Sequence, residues 1–376
     1  MRIAQVAPLY EAVPPHAYGG TERVVSWLTE ELVRQGHDVT LFASSDSQTS
    51  ARLVDGMPPA LRLSKAVDQM APHIVMIERV AQMAIAGEFD VVHSHIDYLP
   101  FSVFRNFQLP AVTTLHGRLD LPQVEPLYRE FDDVRLISIS DNQRAALPHC
   151  NWQATVHHGL PEDMYSFSAN HDNYLLFLGR ICPEKRVDRA IEIATRLGIK
   201  LVIAAKIDPA DIDYYNSKVK HLMDSPLVEF IGEVGESQKN DLIGRAYALL
   251  FPIDWPEPFG LVMIEAMACG TPIVAFRCGS VPEIIEEGRS GFVCDSVDEA
   301  IAAVKRLDTI DRRWCRDVFE ERFTSERMAQ GYVSVYEDIV RNDRRNFVNL
   351  AARSHRPIRI SHSEHNSDAN VQTAPL

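Results

Sequence analysis

Positive charge is in short supply: 38 Lys and Arg stand against 52 Asp and Glu, a formal net charge of -14 over 376 residues. A general nucleic-acid binder neutralises phosphates with a basic face, so nucleic acid is excluded as a partner, although a local basic site is not. Cysteine is scarce and scattered. Cys150, Cys182, Cys269, Cys278, Cys294 and Cys315 form no CxxC and no Cys/His cluster, which argues against a zinc site or a disulfide framework and for reduced thiols in a cytoplasmic protein. No run approaches the ~20 apolar residues that span a bilayer, since "YLLFLG" and "LVIAA" both break early. The opening "MRIAQVAPLYE" lacks the long apolar core and the cleavage site of a secretory signal. A GxGxxG fingerprint is also missing, and with it the support for a hydride-transferring dinucleotide enzyme.

What recurs instead is a short apolar run followed by a helical stretch. The runs are "RIAQVAP", "DVTLFAS", "FDVVHSH", "AVTTLH" and "RLISIS" in the first half, then "YLLFLG", "KLVIAA", "VEFIG", "ALLFP" and "TPIVAF". Each has the pattern of a strand buried on both faces, and "ERVVSWLTEELVRQG" and "RVDRAIEIATRLG" carry a helical period with a glycine exit. The alternation predicts parallel sheets covered by helices, and 376 residues with 46% hydrophobic content accommodate two such α/β domains. Fresh series start near residues 2 and 174, with the polar, turn-rich "EDMYSFSANHDN" between them, so the domains are expected at 1–165 and 172–322. From Asn342 the pattern fails, and 342–376 reads as a disordered tail. Its Arg344, Arg345, Arg353, Arg356 and Arg359 could touch an anionic membrane surface, but a solvated terminus is the simpler reading.

The stretch "WPEPFGLVMIEAMACGTPIVAF" sets Glu257 and Glu265 in a run otherwise almost wholly apolar. Phe259 to Cys269 predicts a buried helix that opens just after Glu257 and stops at Gly270. Inside it an unpaired carboxylate costs roughly several kcal/mol, so Glu265 must be protonated, paired in a core salt bridge or bound to a ligand. Glu257 lies at the helix mouth, where free amides favour oxygen-rich ligands.

Other candidates stand at strand ends. "AYGGTERVV" puts Gly19 and Gly20 between the first strand and the first helix, where bare backbone can approach a phosphate or simply turn tightly. "FLGRICPEKRVD" puts Arg180 and Lys185 in a loop suited to a diphosphate, while Arg186 and Arg189 read as surface charge. His116 in "TTLHGRLD" follows a strand and precedes a glycine, where open α/β sheets bind ligands. Asp211 and Asp213 in "DPADID" are spaced like a metal pair but lie in a helix-leading segment rather than at a strand end, and His93 and His95 in "HSHID" have no third ligand at metal spacing, so both are set aside as metal sites. His95 and Asp97 border a candidate acceptor pocket instead.

"EPFGLVMIEAMACGTPIVA" resembles the E-x7-E signature of family 4 retaining glycosyltransferases. "GGTERVV", "TTLHG", "SISDNQR", "GRICPEKRVDRAI", "VEFIGEV", "PIDWPEPFG" and "GSVPEIIEEGRSGFV" accompany it in the family's order, to about residue 340. The resemblance implies the GT-B fold: two Rossmann-like parallel-sheet domains facing across a cleft, with a nucleotide-sugar donor held mostly by the C-terminal one. It implies a last helix, over 323–341, that crosses back to the N-terminal domain. It also implies that Glu265 binds the ribose hydroxyls and Glu257 those of the donor sugar, while Arg180 and Lys185 hold the diphosphate. His116 then hydrogen-bonds the sugar, and Gly19 and Gly20 approach the phosphates. The amides of Phe259, Gly260 and Leu261 are expected under sugar and phosphate oxygens, with Gly232 and Glu233 beside the base. Ser280, where a second glycine is common, and His158, where asparagine is frequent, are departures from the pattern.

By the same resemblance a hexose passes to an unidentified hydroxyl acceptor by attack on the face the leaving group vacates, with no metal or other cofactor. His116, Glu257, Arg180 and Lys185 form the implied catalytic set. The opening is similar to that of bacterial UDP-glucose-dependent glucosyltransferases, which implies UDP-glucose as the donor. Two other readings stay open: a catalytically silent nucleotide-sugar-binding protein of the same fold, and a nucleotide-sugar epimerase.

Overall fold

Every apolar run becomes a parallel strand. A computed structural model of the chain describes residues 1–16, 19–62 and 67–354, with side chains as far as residue 343. The first half holds β1 (Arg2–Val6), β2 (Asp38–Phe42), β3 (Arg52–Leu53), β4 (Val91–Ser94), β5 (Ala111–Thr114), β6 (Leu136–Ser138) and β7 (Trp152–Thr155), ordered β3-β2-β1-β4-β5-β6-β7. The second half holds β8 (Tyr174–Arg180), β9 (Lys200–Lys206), β10 (Val228–Gly232), β11 (Ala248–Phe251), β12 (Ile273–Phe276) and β13 (Gly291–Cys294), ordered β10-β9-β8-β11-β12-β13. All pairings are parallel, and each sheet reverses its winding beside its first strand, at β1/β4 and at β8/β11. That is the Rossmann-like order, whose crevice opens at the carboxyl ends of the strands where the order reverses.

Strands β4, β11 and β12 are buried at every position, because helices cover both faces of each sheet. Three strands had no such signal. β3 is two residues long, β7 is a half-exposed edge reading "WQAT", and β13 hides in the glycine-bearing "GFVC".

Two crossings join the halves and are bonded to each other. The Leu160 amide donates to Phe323 O at 2.8 Å and the Ser325 amide to Leu160 O at 2.7 Å. A Cβ on Gly159 would stand 2.1 Å from Thr324 O, so the crossing excludes any side chain there. The final helix, Ser325–Ser354, then lies against the N-terminal half. Met328, Tyr332, Val335, Tyr336 and Ile339 recur at helical spacing and are buried in one cluster with Leu28 and Leu32 of the helix Gly20–Arg34.

The apolar period predicts an end at Arg341 and a disordered tail after it; the helix instead continues to Ser354. Residues 342–354 contain neither glycine nor proline, so a helix already nucleated extends through them on backbone propensity without needing an apolar stripe. The remainder of the expected tail, with Arg356 and Arg359, lies outside the described residues, as do the side chains of Arg344, Arg345 and Arg353. Among the described residues no helix is long and apolar enough to cross a membrane.

Candidate active site

The glutamate run follows β11 in the C-terminal half. Its helix spans Leu261–Cys269, opening later than Phe259, because Gly260 caps it in a left-handed conformation with φ 82°. A Cβ on Gly260 would meet Met263 Cε at 2.9 Å. Glu257 therefore stands in the turn before the helix, and its backbone is gripped by the "GSVPE" loop. The Ser280 amide donates to Glu257 O at 3.0 Å and Ser280 Oγ to Phe259 O at 2.8 Å. Gly279 packs so closely that a Cβ would lie 2.3 Å from Glu257 N and O. The serine that departs from the family pattern thus fastens the loop.

Glu257 is buried, and its Oε2 accepts from Trp255 Nε1 at 3.0 Å and from the Lys185 ammonium. Lys185 also lies 5.2 Å from the Phe251 ring and 5.3 Å from the Trp255 ring. Two expected site residues from different strand ends are therefore direct partners. Arg180, at the end of β8, is turned toward Asp211, with Nε 3.2 Å from Oδ2 in an ionic contact that falls short of hydrogen-bond geometry. The "DPADID" segment, set aside as a metal pair, thus meets the expected diphosphate arginine. Among the described residues no group of three His, Cys, Asp or Glu is arranged to hold a metal ion. Arg186 and Arg189 are not plain surface charge either: both bind Asp254, at 2.7 and 3.0 Å, and tie down the loop that carries Glu257.

Glu265 is only 3% exposed and accepts from Lys239 Nζ at 2.5 Å. Lys239 was not anticipated. It sits in the polar helix Glu236–Arg245, where nothing in one sequence separates a buried lysine from a solvated one. Gly232 and Glu233 end the edge strand β10, Gly232 at φ 76° where the pairing with β9 shifts register, and Glu233 is exposed.

Across the cleft, Gly19 and Gly20 lead into the helix Gly20–Arg34. A Cβ on Gly19 would meet Pro15 Cβ at 2.8 Å, whereas Gly20 has open space around it. His116, past the end of β5, belongs to a hydrogen-bonded array that runs into the core. With Gln5 Nε2 donating to Tyr336 OH (3.1 Å), Tyr336 OH donates to His93 Nδ1 (2.6 Å) and His93 Nε2 to Thr114 Oγ1 (2.7 Å). Gln5 Oε1 then accepts from His95 Nε2 (2.8 Å), and His95 Nδ1 accepts from His116 Nε2 (2.9 Å). Burial pushes His116 down to about 3 and His93, His95 and His158 well below the usual range, so the rings are neutral at neutral pH. The His116 ring stacks on His158 with centroids 5.3 Å apart, and His158 meets the Phe259 ring edge-on at 4.8 Å. Contact therefore passes from the N-terminal half through the interdomain crossing to the mouth of the glutamate helix.

His95 does not line an acceptor pocket as expected. It is 2% exposed with both ring nitrogens engaged, and it backs His116 instead. Asp97 does reach solvent. Loss of hydration pushes its carboxyl up to about 6, opposed by a hydrogen bond from the His116 amide. Further pairs close the cleft: Arg23 with Glu236, and the Arg118 guanidinium 5.8 Å from the Trp255 ring.

Two Rossmann-like sheets facing a cleft lined in this way define the GT-B architecture of glycosyltransferases. Residues 164–312 match the model of glycosyl transferases group 1, and residues 18–161 that of Glycosyltransferase Family 4. Between them these matches take in both sheets: the chain belongs to the family 4 glycosyltransferases and is an enzyme of that class. It is 25% identical over 388 residues to the N-acetyl-alpha-D-glucosaminyl L-malate synthase of Bacillus anthracis, covering 87% of this chain and 96% of that one. It superposes on AviGT4, a glycosyltransferase involved in avilamycin A biosynthesis, with a TM-score of 0.67 and 24% identity over 91% of this chain and 98% of that one. Anabaena Alr3699/HepE, solved in complex with UDP and glucose, gives a TM-score of 0.66 at 17% identity over 90% and 100% of the two chains. At these identities the two structures speak for the fold.

Proposed function

We propose that this glycosyltransferase moves glucose from UDP-glucose to an alcohol acceptor with retention of configuration, using no metal or other cofactor. The observation that carries this reading is the Lys185 ammonium on the Glu257 carboxylate at the mouth of the helix Leu261–Cys269. A cation fit for phosphate and a carboxylate fit for hydroxyls meet where free backbone amides begin, which suits the junction between a diphosphate and a sugar. On donor entry the ammonium turns to the phosphate, while Glu257 takes sugar hydroxyls and keeps the Trp255 indole N–H as its anchor.

As the bond from C1 to the diphosphate oxygen lengthens, positive charge grows on the sugar ring and negative charge on the leaving group. Arg180, Lys185 and the amides of Phe259, Gly260 and Leu261 stabilise the latter. The acceptor oxygen bonds to C1 on the face being vacated, and its proton passes to the departing phosphate oxygen. One C–O bond breaks, one forms, and no side-chain nucleophile is required. His116, neutral and braced by His95, meets a sugar hydroxyl, Gly19 and Gly20 approach the phosphates, Gly232 and Glu233 flank the base, and Asp97 faces the acceptor. The UDP and glucose bound in Alr3699/HepE support this donor. Six unpaired cysteines, most of them buried, suit a cytoplasmic enzyme.

Thermal shift with UDP-glucose, UDP-N-acetylglucosamine, GDP-mannose and ADP-glucose tests the donor, with the largest stabilisation expected from UDP-glucose. Proton NMR of the sugar released from UDP-glucose, or of the glucoside formed with an accepted alcohol, should show the α anomer first. A β anomer overturns retention, and a rate abolished by chelator and restored by magnesium overturns metal independence.

A further inference from the structure

Glu265 is the one carboxylate inside a helix whose residues from Met263 to Cys269 are all buried. Among the described residues its carboxylate has a single hydrogen-bond partner, Lys239, which takes Oε1 and leaves the second oxygen for a ligand. Lys239 is itself held. Its ammonium lies 6.0 Å from the centroid of the Tyr165 ring, and its neighbour Asn240 accepts the Ser166 amide at 2.9 Å. Three residues earlier on the same face of the helix, Glu236 accepts from Tyr165 OH at 3.0 Å and pairs with Arg23 of the opposite half.

A carboxylate that must meet two adjacent hydroxyls has to present a fixed edge, and one pinned by a charge-assisted hydrogen bond loses the freedom to rotate away. We propose that Lys239 is a positioning residue of the donor site: it neutralises and orients Glu265 so that the free oxygen faces the ribose hydroxyls of the nucleotide. The inference rests on the reading of Glu265 as the ribose ligand. It adds that this ligand works only as a pair with Lys239, and that the pair is braced by a helix whose first residue is clasped from across the cleft by Arg23.

The test is the preference for ribose over deoxyribose, measured by calorimetric titration of UDP and 2′-deoxyuridine diphosphate into the full chain. The unaltered protein is expected to bind UDP about tenfold or more tightly than the deoxy form, as the loss of a charge-assisted hydrogen bond dictates. Glu265→Gln should erase most of that preference. Lys239→Met should erase it to a similar degree, Lys239→Arg should restore most of it, and Lys239→Met combined with Glu265→Gln should be no worse than Glu265→Gln alone. Circular dichroism and melting curves confirm that each variant is folded; should Lys239→Met not fold, Lys239→Leu, which likewise removes the ammonium, takes its place. If Glu265→Gln erases the preference and Lys239→Met does not, the positioning role falls while the ribose reading stands. Additive losses in the double variant mean that Lys239 touches the nucleotide itself, which also overturns the proposal. If the unaltered chain shows no preference, or does not bind UDP, both the ribose reading and the role built on it are wrong.

Discussion

Glu283 of the C-terminal half accepts the backbone amide of Asp141 in the N-terminal half at 2.7 Å, and its other oxygen accepts the amide of Asn142 at the same distance. The helix Asp141–Ala145 is thus capped from across the cleft, while its own Ser140 caps the Gln143 amide at 3.1 Å. Burial alone would raise the Glu283 pKa, but His157 and the two amides outweigh it and hold the carboxyl below its usual range. Those amides have this partner only while the halves are together, so the bond ties the two halves to each other.

Removing the clasp should open the enzyme. Glu283→Ala is expected to enlarge the radius of gyration of the free chain in small-angle scattering and to lower kcat/KM by about tenfold or more, the cost of losing charge-assisted bonds. Glu283→Gln, which still accepts one amide, should fall between. Identical scattering curves and rates for all three proteins would show that the clasp does not govern closure.

Glu257 and Lys185 allow binding and turnover to be separated. In Glu257→Gln the affinity for UDP should stay nearly unchanged while kcat drops about 100-fold, because a sugar without its anchor reacts slowly even when bound. Lys185→Met should instead weaken UDP itself, since its partner in the complex is the phosphate. Equal weakening of UDP in both variants, read by titration calorimetry, would break the assignment.

Much of this architecture was legible in the sequence because burial on both faces leaves unbroken apolar runs, as in β4, β11 and β12. Edge strands such as β7 carry no such signature, and the extension of the last helix past Arg341 depends on propensity rather than pattern. Among the residues of the candidate site, those at strand ends or beside glycines stand out in the sequence: His116, Arg180 and Glu257. Lys239, Glu283 and Gln5 were not, for a shared reason. Each acts on a residue distant in the chain, Glu265, Asp141 and His95 respectively, and a partner chosen by the fold leaves no local pattern.

Asp97 should show a pH-dependent stability of unusual sign. Its carboxyl is raised to about 6 in the folded chain, so the folded state holds a proton that the unfolded state has released. Its contribution is therefore fully present below the unfolded value near 4 and lost as pH rises through about 6. Asp97→Asn keeps the shape of the neutral acid and tolerates the positive φ of 51° at this site. The variant should melt higher than the parent at about pH 7.5 and level with it at about pH 4. A parent that melts above the variant at the higher pH would mean that the ionised carboxylate stabilises the fold.

The histidine array predicts the opposite trend. His93, His95 and His158 are 4% exposed or less and are held neutral by burial, with His116 pushed down to about 3. Unfolded histidines bind a proton below about 6.5, so between that value and the folded pKa the unfolded chain carries more protons. Stability linked to these rings is complete above about pH 6.5 and declines as pH falls below it. Urea titrations should therefore show lower stability at about pH 5 than at about pH 7.5, and His158→Asn should reduce that difference. Among the described residues, the titratable groups facing the array include the Tyr332 and Tyr336 hydroxyls, neutral with their pKa values raised by burial, His157 beside His158, and Asp97, which accepts the His116 amide. A stability that stays level from about pH 7.5 to pH 5 would require the rings to accept protons within the fold, and the chain of bonds from Gln5 to His116 would then have to run in a different order.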